Sequence, residues 1–337
     1  MRTTGGTMIR FGSIGTSSIV ELFGTGVEQA EGVSWTVACS RDRARAELLG
    51  SPQGARAVEG IDELAAAGDV DAVYVASPNA LHHQQARTLL EAGKHVLMEK
   101  SACVTSGQWG ELVELAHARG LVLLESVRAL HEPVWQTITG HLDELGPIRQ
   151  VELHLAQRSR RYDNYLAGVV ENIFRPEMGA GALMDLGVYC TSVLVHLLGA
   201  PTRVQASSIA LSNGIDGATT LLNEHDGFTS TITASKVSSN PAPSVVAGED
   251  ASLVLDRVDD PHHLWLHRGA EVVELEVDKR LSQQAYVLSA FARMVADPQL
   301  AEPFQRTTLE VLRVHEQARR QTGLVLPGDP GWQGAWA

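Results

Sequence analysis

Three residues of this 337-residue chain combine a side-chain type and a setting suited to chemistry: Lys100, Asp185 and Tyr189. Lys100 closes the run His95-Val96-Leu97-Met98-Glu99-Lys100, an apolar strand ending in charge. In a parallel α/β sheet, ligands bind in the crevice beyond the carboxyl ends of the strands, so a lysine there can face a ligand. A solvated surface lysine is the competing reading. Asp185 and Tyr189 lie four apart in the apolar stretch from Met178 to Gly199, which places both on one face of a helix expected from Ala182 to Leu198. Leu186 and Val193 make that face otherwise apolar, so the two polar groups need partners if buried. An Asp–Tyr pair that serves packing alone fits the same pattern. His154 and His196 read as structural residues, and Cys190 as a small core residue.

The elements that must carry these residues follow from periodicity. Val70 to Val75 is a short β-prone run, as in a strand buried on both faces, and Ser77-Pro78-Asn79 ends it with turn chemistry. A helix from Leu81 to Ala92 follows, with Gly93 at its C-cap. Upstream, Ile9 to Ile14 is a strand followed by Gly15-Thr16-Ser17-Ser18 and a helix from Ile19 to about Ala30, the place for a dinucleotide fingerprint. Gly15 supplies the tight turn, but Ser17 and Val20 stand where the second and third glycines belong. The hydroxyls of Ser17 and Ser18 can themselves bond phosphate. The strand from Ser34 to Cys39 ends in Ser40-Arg41-Asp42, about 25 residues after Gly15, where an acid would hold the ribose of NAD. Ser40 with Arg41 would instead accept a 2′-phosphate, which predicts NADP with NAD possible. An exposed basic helix start (Arg41, Arg43, Arg45) is the alternative.

A helix within Ala57–Ala67, one from Ser106 to Arg119 and a strand from Leu121 to Leu124 ending in Glu125 complete a β-α-β-α-β-α-β-α-β order. The expectation is an α/β Rossmann domain with a doubly wound parallel sheet over residues 1–127. After a helix from His131 to about Leu145, Ile148 to Leu155 alternates apolar and polar residues, the sign of a sheet with one wet face. Seven further strand-like runs between Arg203 and Val277 predict an α+β domain over 128–337 with a large, mostly antiparallel open sheet, closed by helices at Ser282–Ala296 and Thr307–Gln321. The uncovered sheet face predicts a homodimer or homotetramer.

Composition narrows the class. The net charge of −13 argues against nucleic acid as a partner. No run of 18 apolar residues predicts a membrane span, and the start MRTTGGTMIRF lacks a signal-peptide core. Residues 1–7 read as a short disordered lead. Cys39, Cys103 and Cys190 have no metal-ligand spacing, so a cytoplasmic, reduced, metal-free protein is expected.

The spelling of these stretches resembles the glucose-fructose oxidoreductase / inositol dehydrogenase / MocA family. Its P-N-x-x-H is matched by Pro78-Asn79-Ala80-Leu81-His82, and its A-G-K-H-V-x-x-E-K-P by Ala92 to Lys100, with Ser101 in place of the final proline. Its G-G-x-(L/M)-x-D-x-G-x-(H/Y) is matched by Gly181, Leu183, Asp185, Gly187 and Tyr189. The tyrosine is similar to the dihydrodiol/xylose dehydrogenase branch, and Ser159–Gly168 resembles a substrate-side loop of one subgroup. The resemblance implies an NAD(P)-dependent oxidoreductase acting on a sugar, polyol or trans-diol. Its cofactor residues would be Gly15, Thr16, Ser17, Ser18, Ile19, Ser40, Arg41, Ser77, Asn79, His82, Glu99 and Lys100. Arg128, Tyr162 and Asp185 are substrate candidates. Tyr189 would act as base, with Lys100, from the other domain, favouring its phenolate, since a tyrosine of pKa about 10 is a poor base at neutral pH. Asp185 would bond a sugar hydroxyl or orient Lys100. Two other readings compete: a catalytically silent ligand sensor on the same fold, suggested by Ser17, Val20 and Ser101, and a redox-neutral enzyme that retains its cofactor.

Overall fold

The computed structural model describes residues 8–334; the expectation for residues 1–7 lies outside the described residues. The chain divides into two compact units. The first holds residues up to 102, 107–128 and 280–306; the second holds 103–106, 129–279 and the chain from 307 onward.

The first unit is built on six parallel strands: β1 (Ile9–Ile14), β2 (Val33–Ser40), β3 (Arg56–Glu59), β4 (Ala72–Val75), β5 (His95–Glu99) and β6 (Leu123–Ser126). Their order, β3-β2-β1-β4-β5-β6, is that of a doubly wound dinucleotide-binding sheet, with its switch point between β1 and β4. Helices α1 (Ser18–Gln29), α2 (Arg43–Gly50), α3 (Ile61–Ala65), α4 (Asn79–Glu91) and α5 (Ser106–Ala118) make the crossovers. Every side chain of β4 is buried, as its unbroken apolar run requires. The helix expected within Ala57–Ala67 is the short α3, preceded by β3, which was not expected.

Helix α9 (Gln283–Ala296), late in the chain, packs in this unit and not with the second domain. Its Phe291 ring lies 5.5 Å from Phe11, and Phe11 meets Phe23 at 5.6 Å, edge-on. Phe23 stacks on Tyr74 at 4.5 Å. All four rings are fully buried. At about 1.5–3 kcal/mol for each large apolar side chain removed from water, this cluster is a main support of the sheet.

The second unit carries α6 (Val134–His141), α7 (Tyr162–Leu166), α8 (Val188–Leu198) and the greater part of α10 (Glu302–Thr322). The expected helix from His131 to Leu145 is broken: α6 stands between two 3-10 turns, Arg128–His131 and Leu142–Leu145. The strands are β7 (Ile148–Ala156), β8 (Arg203–Ala210), β9 (Asp216–Glu224), β10 (Thr229–Ser235), β11 (Ser244–Gly248), β12 (Ser252–Leu255), β13 (Leu264–Arg268) and β14 (Glu271–Leu275). They form one sheet, ordered β14-β13-β12-β11-β7-β10-β9-β8, antiparallel except for the parallel β7–β10 pair. Val151, Leu153 and Leu155 of β7, with Leu221 and Ile232, bury one face. Glu152, Thr220 and Leu222 lie on the opposite, exposed face. The stretch Pro176–Leu198 is long and apolar enough to cross a membrane by length and composition, but 72% of that window is buried within this fold. Core packing accounts for its apolarity.

Candidate active site

In the first unit, the residues singled out from the sequence gather along the carboxyl edge of the sheet, around the switch point. Gly15 ends β1 with φ +129°, and a Cβ there would stand 2.4 Å from the carbonyl oxygen of Ala76 after β4. Only glycine lets these two strand ends close on each other. Ser17 is the N-cap of α1, yet its hydroxyl makes no capping bond and, like Ser18, it is exposed. The Ser18 and Ile19 amides at the start of α1 and these hydroxyls therefore remain available to an anion, as a helix N-terminus favours. Ile19 is half-buried against the core. At the end of β2, the Ser40 hydroxyl accepts from the Asp42 amide at 3.1 Å. Asp42 spends its carboxylate capping α2, accepting from Ala44 and Arg45. Arg41 is exposed and makes no ion pair among the described residues. The strand end thus presents a serine and an unpaired cation, with Asp42 turned to its own helix. These features fit a dinucleotide carrying a 2′-phosphate.

Glu99 and His82, expected to line the cofactor site, are both buried at the strand ends. Glu99 is buried, and Oε1 accepts from the Tyr74 hydroxyl at 2.5 Å. Gln284 of α9 in turn donates to that hydroxyl at 3.3 Å. Burial first, and the Glu99 charge second, push the Tyr74 pKa well up, so the phenol stays a donor. His82 is fully buried, its ring nitrogens 2.8 Å from the Ser77 carbonyl and 3.0 Å from the Ser101 carbonyl. It braces the ends of β4 and β5 from beneath. Ser77 bonds Gln85 through its hydroxyl at 2.6 Å, and Asn79 opens α4. Glu125, buried in β6, accepts from the Ala102 amide at 2.7 Å. The Lys100–Ser101 peptide is cis. Lys100 itself is only partly buried while Glu99, Ser101 and Ala102 around it are buried, so the turn that carries it is held on both sides.

In the second unit, the helix expected from Ala182 begins as a π-turn, Leu183–Gly187, and becomes α8 at Val188. The π-turn holds Asp185, and the first turn of α8 holds Tyr189, which is 5% exposed. Asp216, at the start of β9, explains a glycine of the motif. Its Oδ2 accepts from the Leu183 amide at 2.7 Å and from the Thr219 hydroxyl at 2.7 Å. A Cβ on Gly181, whose φ is +112°, would stand 1.9 Å from Asp216 Oδ1. The π-turn is therefore started by a side chain that needs the space Gly181 leaves. Burial pushes the Asp216 carboxyl up to about 6.

Sequence reasoning missed Lys236. It follows β10 and donates to Asp185 Oδ2 at 2.7 Å. A lone lysine after a strand carries no local signal that it turns inward. Tyr162, in α7, stacks with Tyr165 at 6.1 Å and beneath the Arg158 guanidinium at 5.3 Å. Arg128, assigned to the first unit, opens the 3-10 turn after β6. Cys190 is fully buried and burial pushes its thiol pKa up, as suits a core residue. Among the described residues, no group of three or more His, Cys, Asp or Glu side chains is placed to hold a metal ion.

A doubly wound sheet with an anion-receptive turn and a lysine at its carboxyl edge defines a dinucleotide-dependent enzyme class, and comparison with known proteins specifies it. Residues 9–126 match the model of an oxidoreductase family with an NAD-binding Rossmann fold, and residues 141–254 match the GFO/IDH/MocA C-terminal domain. A scyllo-inositol 2-dehydrogenase (NADP+) from Bacillus subtilis is 35% identical over 96% of this chain and 99% of its own. A dTDP-3,4-didehydro-2,6-dideoxy-alpha-D-glucose 3-reductase from Streptomyces violaceoruber is 31% identical over 67% of this chain and 66% of its own. A 3-ketoreductase from Actinomadura kijaniata, solved with NADP and TDP-benzene, superposes with a TM-score of 0.82 at 26% identity, covering 93% of this chain and 98% of that one. The chain belongs to the GFO/IDH/MocA oxidoreductase family. It is an NAD(P)-dependent oxidoreductase, and its dehydrogenase and reductase relatives favour an enzyme over a silent sensor.

Proposed function

We propose that this chain oxidises a secondary hydroxyl of a neutral cyclic polyol or sugar with NADP+, using Tyr189 as proton acceptor and Lys100 as the cation that favours its phenolate. The observation that carries the reading is Lys100: a partly exposed lysine on a turn fixed by buried neighbours, at the edge that also bears Gly15 and Arg41. The Gly15–Ser18 turn would hold the pyrophosphate, and Ser40 with Arg41 the 2′-phosphate. NADP+ bound there supplies the hydride acceptor, so that alcohol and NADP+ become carbonyl, NADPH and a proton. The protein's part is that proton. Tyr189 takes it from the hydroxyl, and Lys100 stabilises the negative charge this requires. Asp185 accepts from a neighbouring hydroxyl and sets the orientation of the ring.

Charge pairing supports a neutral substrate. Of the four arginines between residues 158 and 175, Arg158 pairs with Asp163 at 2.6 Å, Arg161 with Glu171 at 2.9 Å and Arg175 with Glu177 at 4.0 Å. That segment offers little net positive charge to a diphosphate. The scyllo-inositol dehydrogenase is a relative that fits this feature.

The cytoplasm, with its reduced nicotinamide pool, is the compartment we assign; the three buried cysteines suit a reducing environment. The exposed face of the second unit's sheet, with Leu222 at 43% and Ile209 at 63% exposure, is where a second copy would dock to form a homodimer or homotetramer. Light scattering that finds a monomer would remove that part of the reading. The reaction is tested with a panel of inositols, aldoses and diols, following NADPH absorbance. Cyclic polyols should be oxidised with NADP+, and turnover of nucleotide-linked sugars alone would overturn the substrate class.

A further inference from the structure

We infer that Lys236 is a positioning residue for Asp185, holding that carboxylate in place and aimed at a substrate hydroxyl. The inference rests on the reading that Asp185 meets the polyol. Lys236 is an expensive residue to keep: its side chain is 3% exposed, and an ammonium leaves water at a cost of several kcal/mol unless it is paired. Its Nζ donates to Asp185 Oδ2 at 2.7 Å and to the Ile173 carbonyl at 3.1 Å, and lies 5.4 Å from the centre of the Phe174 ring.

The two members of the pair differ in exposure. Asp185 is 32% exposed where Lys236 is almost sealed, so the lysine grips the carboxylate from the protein side and leaves part of it facing solvent. The backbone of Lys236 is equally fixed. Its amide donates to the Gly217 carbonyl at 2.8 Å, and its carbonyl accepts from the Ser159 amide at 2.8 Å. Residue 236 thus ties together the start of β9, the segment leading to Tyr162, and Asp185. A lysine suits this place because it is a compact point charge with three donors, whereas a guanidinium needs a planar fork of acceptors.

The test is Lys236→Met and Lys236→Arg beside Asp185→Asn, with crystal structures of each, NADPH titration by fluorescence, and kinetics on scyllo-inositol or any polyol the unaltered enzyme oxidises. In Lys236→Met, Asp185 should move by more than about 0.5 Å, the tolerance of a working site. KM for the polyol should rise about tenfold or more, while NADPH affinity holds and Lys236→Arg recovers part of the loss. If Lys236→Met does not fold, the neutral double variant Lys236→Met/Asp185→Asn takes its place, and it should match Asp185→Asn alone. An unmoved Asp185, or unchanged kinetics in Lys236→Met while Asp185→Asn is impaired, overturns the inference and leaves the proposed reaction standing. An additional loss in the double variant overturns it likewise. Unchanged kinetics in both single variants overturns it through the reading on which it rests.

Discussion

The ring Nδ1 of His82 lies 3.0 Å from the carbonyl oxygen of Ser101, joining helix α4 to the turn that presents Lys100. The other ring nitrogen lies 2.8 Å from the Ser77 carbonyl. Both neighbours are acceptors, and a neutral imidazole has one N–H. Burial pulls the His82 pKa down, more than the carbonyls raise it, so the neutral ring serves one of them at a time. Replacing His82 by Leu leaves a buried carbonyl without its donor. Stability should fall by about 1–3 kcal/mol in urea titrations, with weaker NADPH binding as the ends of β4 and β5 loosen. Unchanged stability would show that His82 is not a brace.

Acid stability should reflect buried groups of opposite sign. His315 is fully buried and its pKa is pushed down to about 3 by burial, with the Arg319 charge second. Its contribution is present above the unfolded value near 6.5 and is lost as pH falls toward 3; His82 acts in the same direction. Asp216 is raised from 3.8 to about 6, so its contribution is full below 3.8 and lost as pH rises through 6. Between pH 6 and 4 it opposes the histidines. Asp216→Asn should therefore steepen the loss of stability across that window, as read from urea midpoints. An unchanged slope would mean that Asp216 titrates normally.

Cofactor choice should rest on Arg41. Asp42 is occupied as the cap of α2, while the exposed Arg41 beside it makes no ion pair among the described residues. Arg41→Ala should weaken NADPH by the equivalent of about 1.5–3 kcal/mol and NADH far less, measured by fluorescence titration. Equal losses for both cofactors would contradict the assignment.

The strands that carry the site were legible because local pattern and burial agree. The run through β4 is continuously apolar and the run to Lys100 has an apolar centre, Val96–Met98, and Gly93 has the positive φ of +78° expected of a helix C-cap. What escaped depends on distant partners. The four residues of β3, two of them charged, pair only with β2 at the sheet edge and give no alternation long enough to read. The π-turn at Asp185 is set by Asp216, 31 residues later. The return of α9 to the first unit is decided by Phe291 meeting Phe11, a contact across 280 residues that no spacing rule reaches. Glu99 and His82 were singled out by motif; their burial and hydrogen bonds to Tyr74, Ser77 and Ser101 could not be read from it.

The central claim is that Tyr189 is the proton acceptor with Lys100 as its cation. Tyr189→Phe removes one hydroxyl and keeps the ring that α8 buries. Measured on a polyol that the unaltered enzyme oxidises, kcat should fall about 10²- to 10⁴-fold, with NADPH affinity nearly unchanged. Lys100→Met should also lower kcat, because the developing phenolate charge loses its cation. The most direct single measurement is kcat for Tyr189→Phe. A loss of two to four orders of magnitude is the predicted result; turnover within a few-fold of the unaltered enzyme would contradict the account.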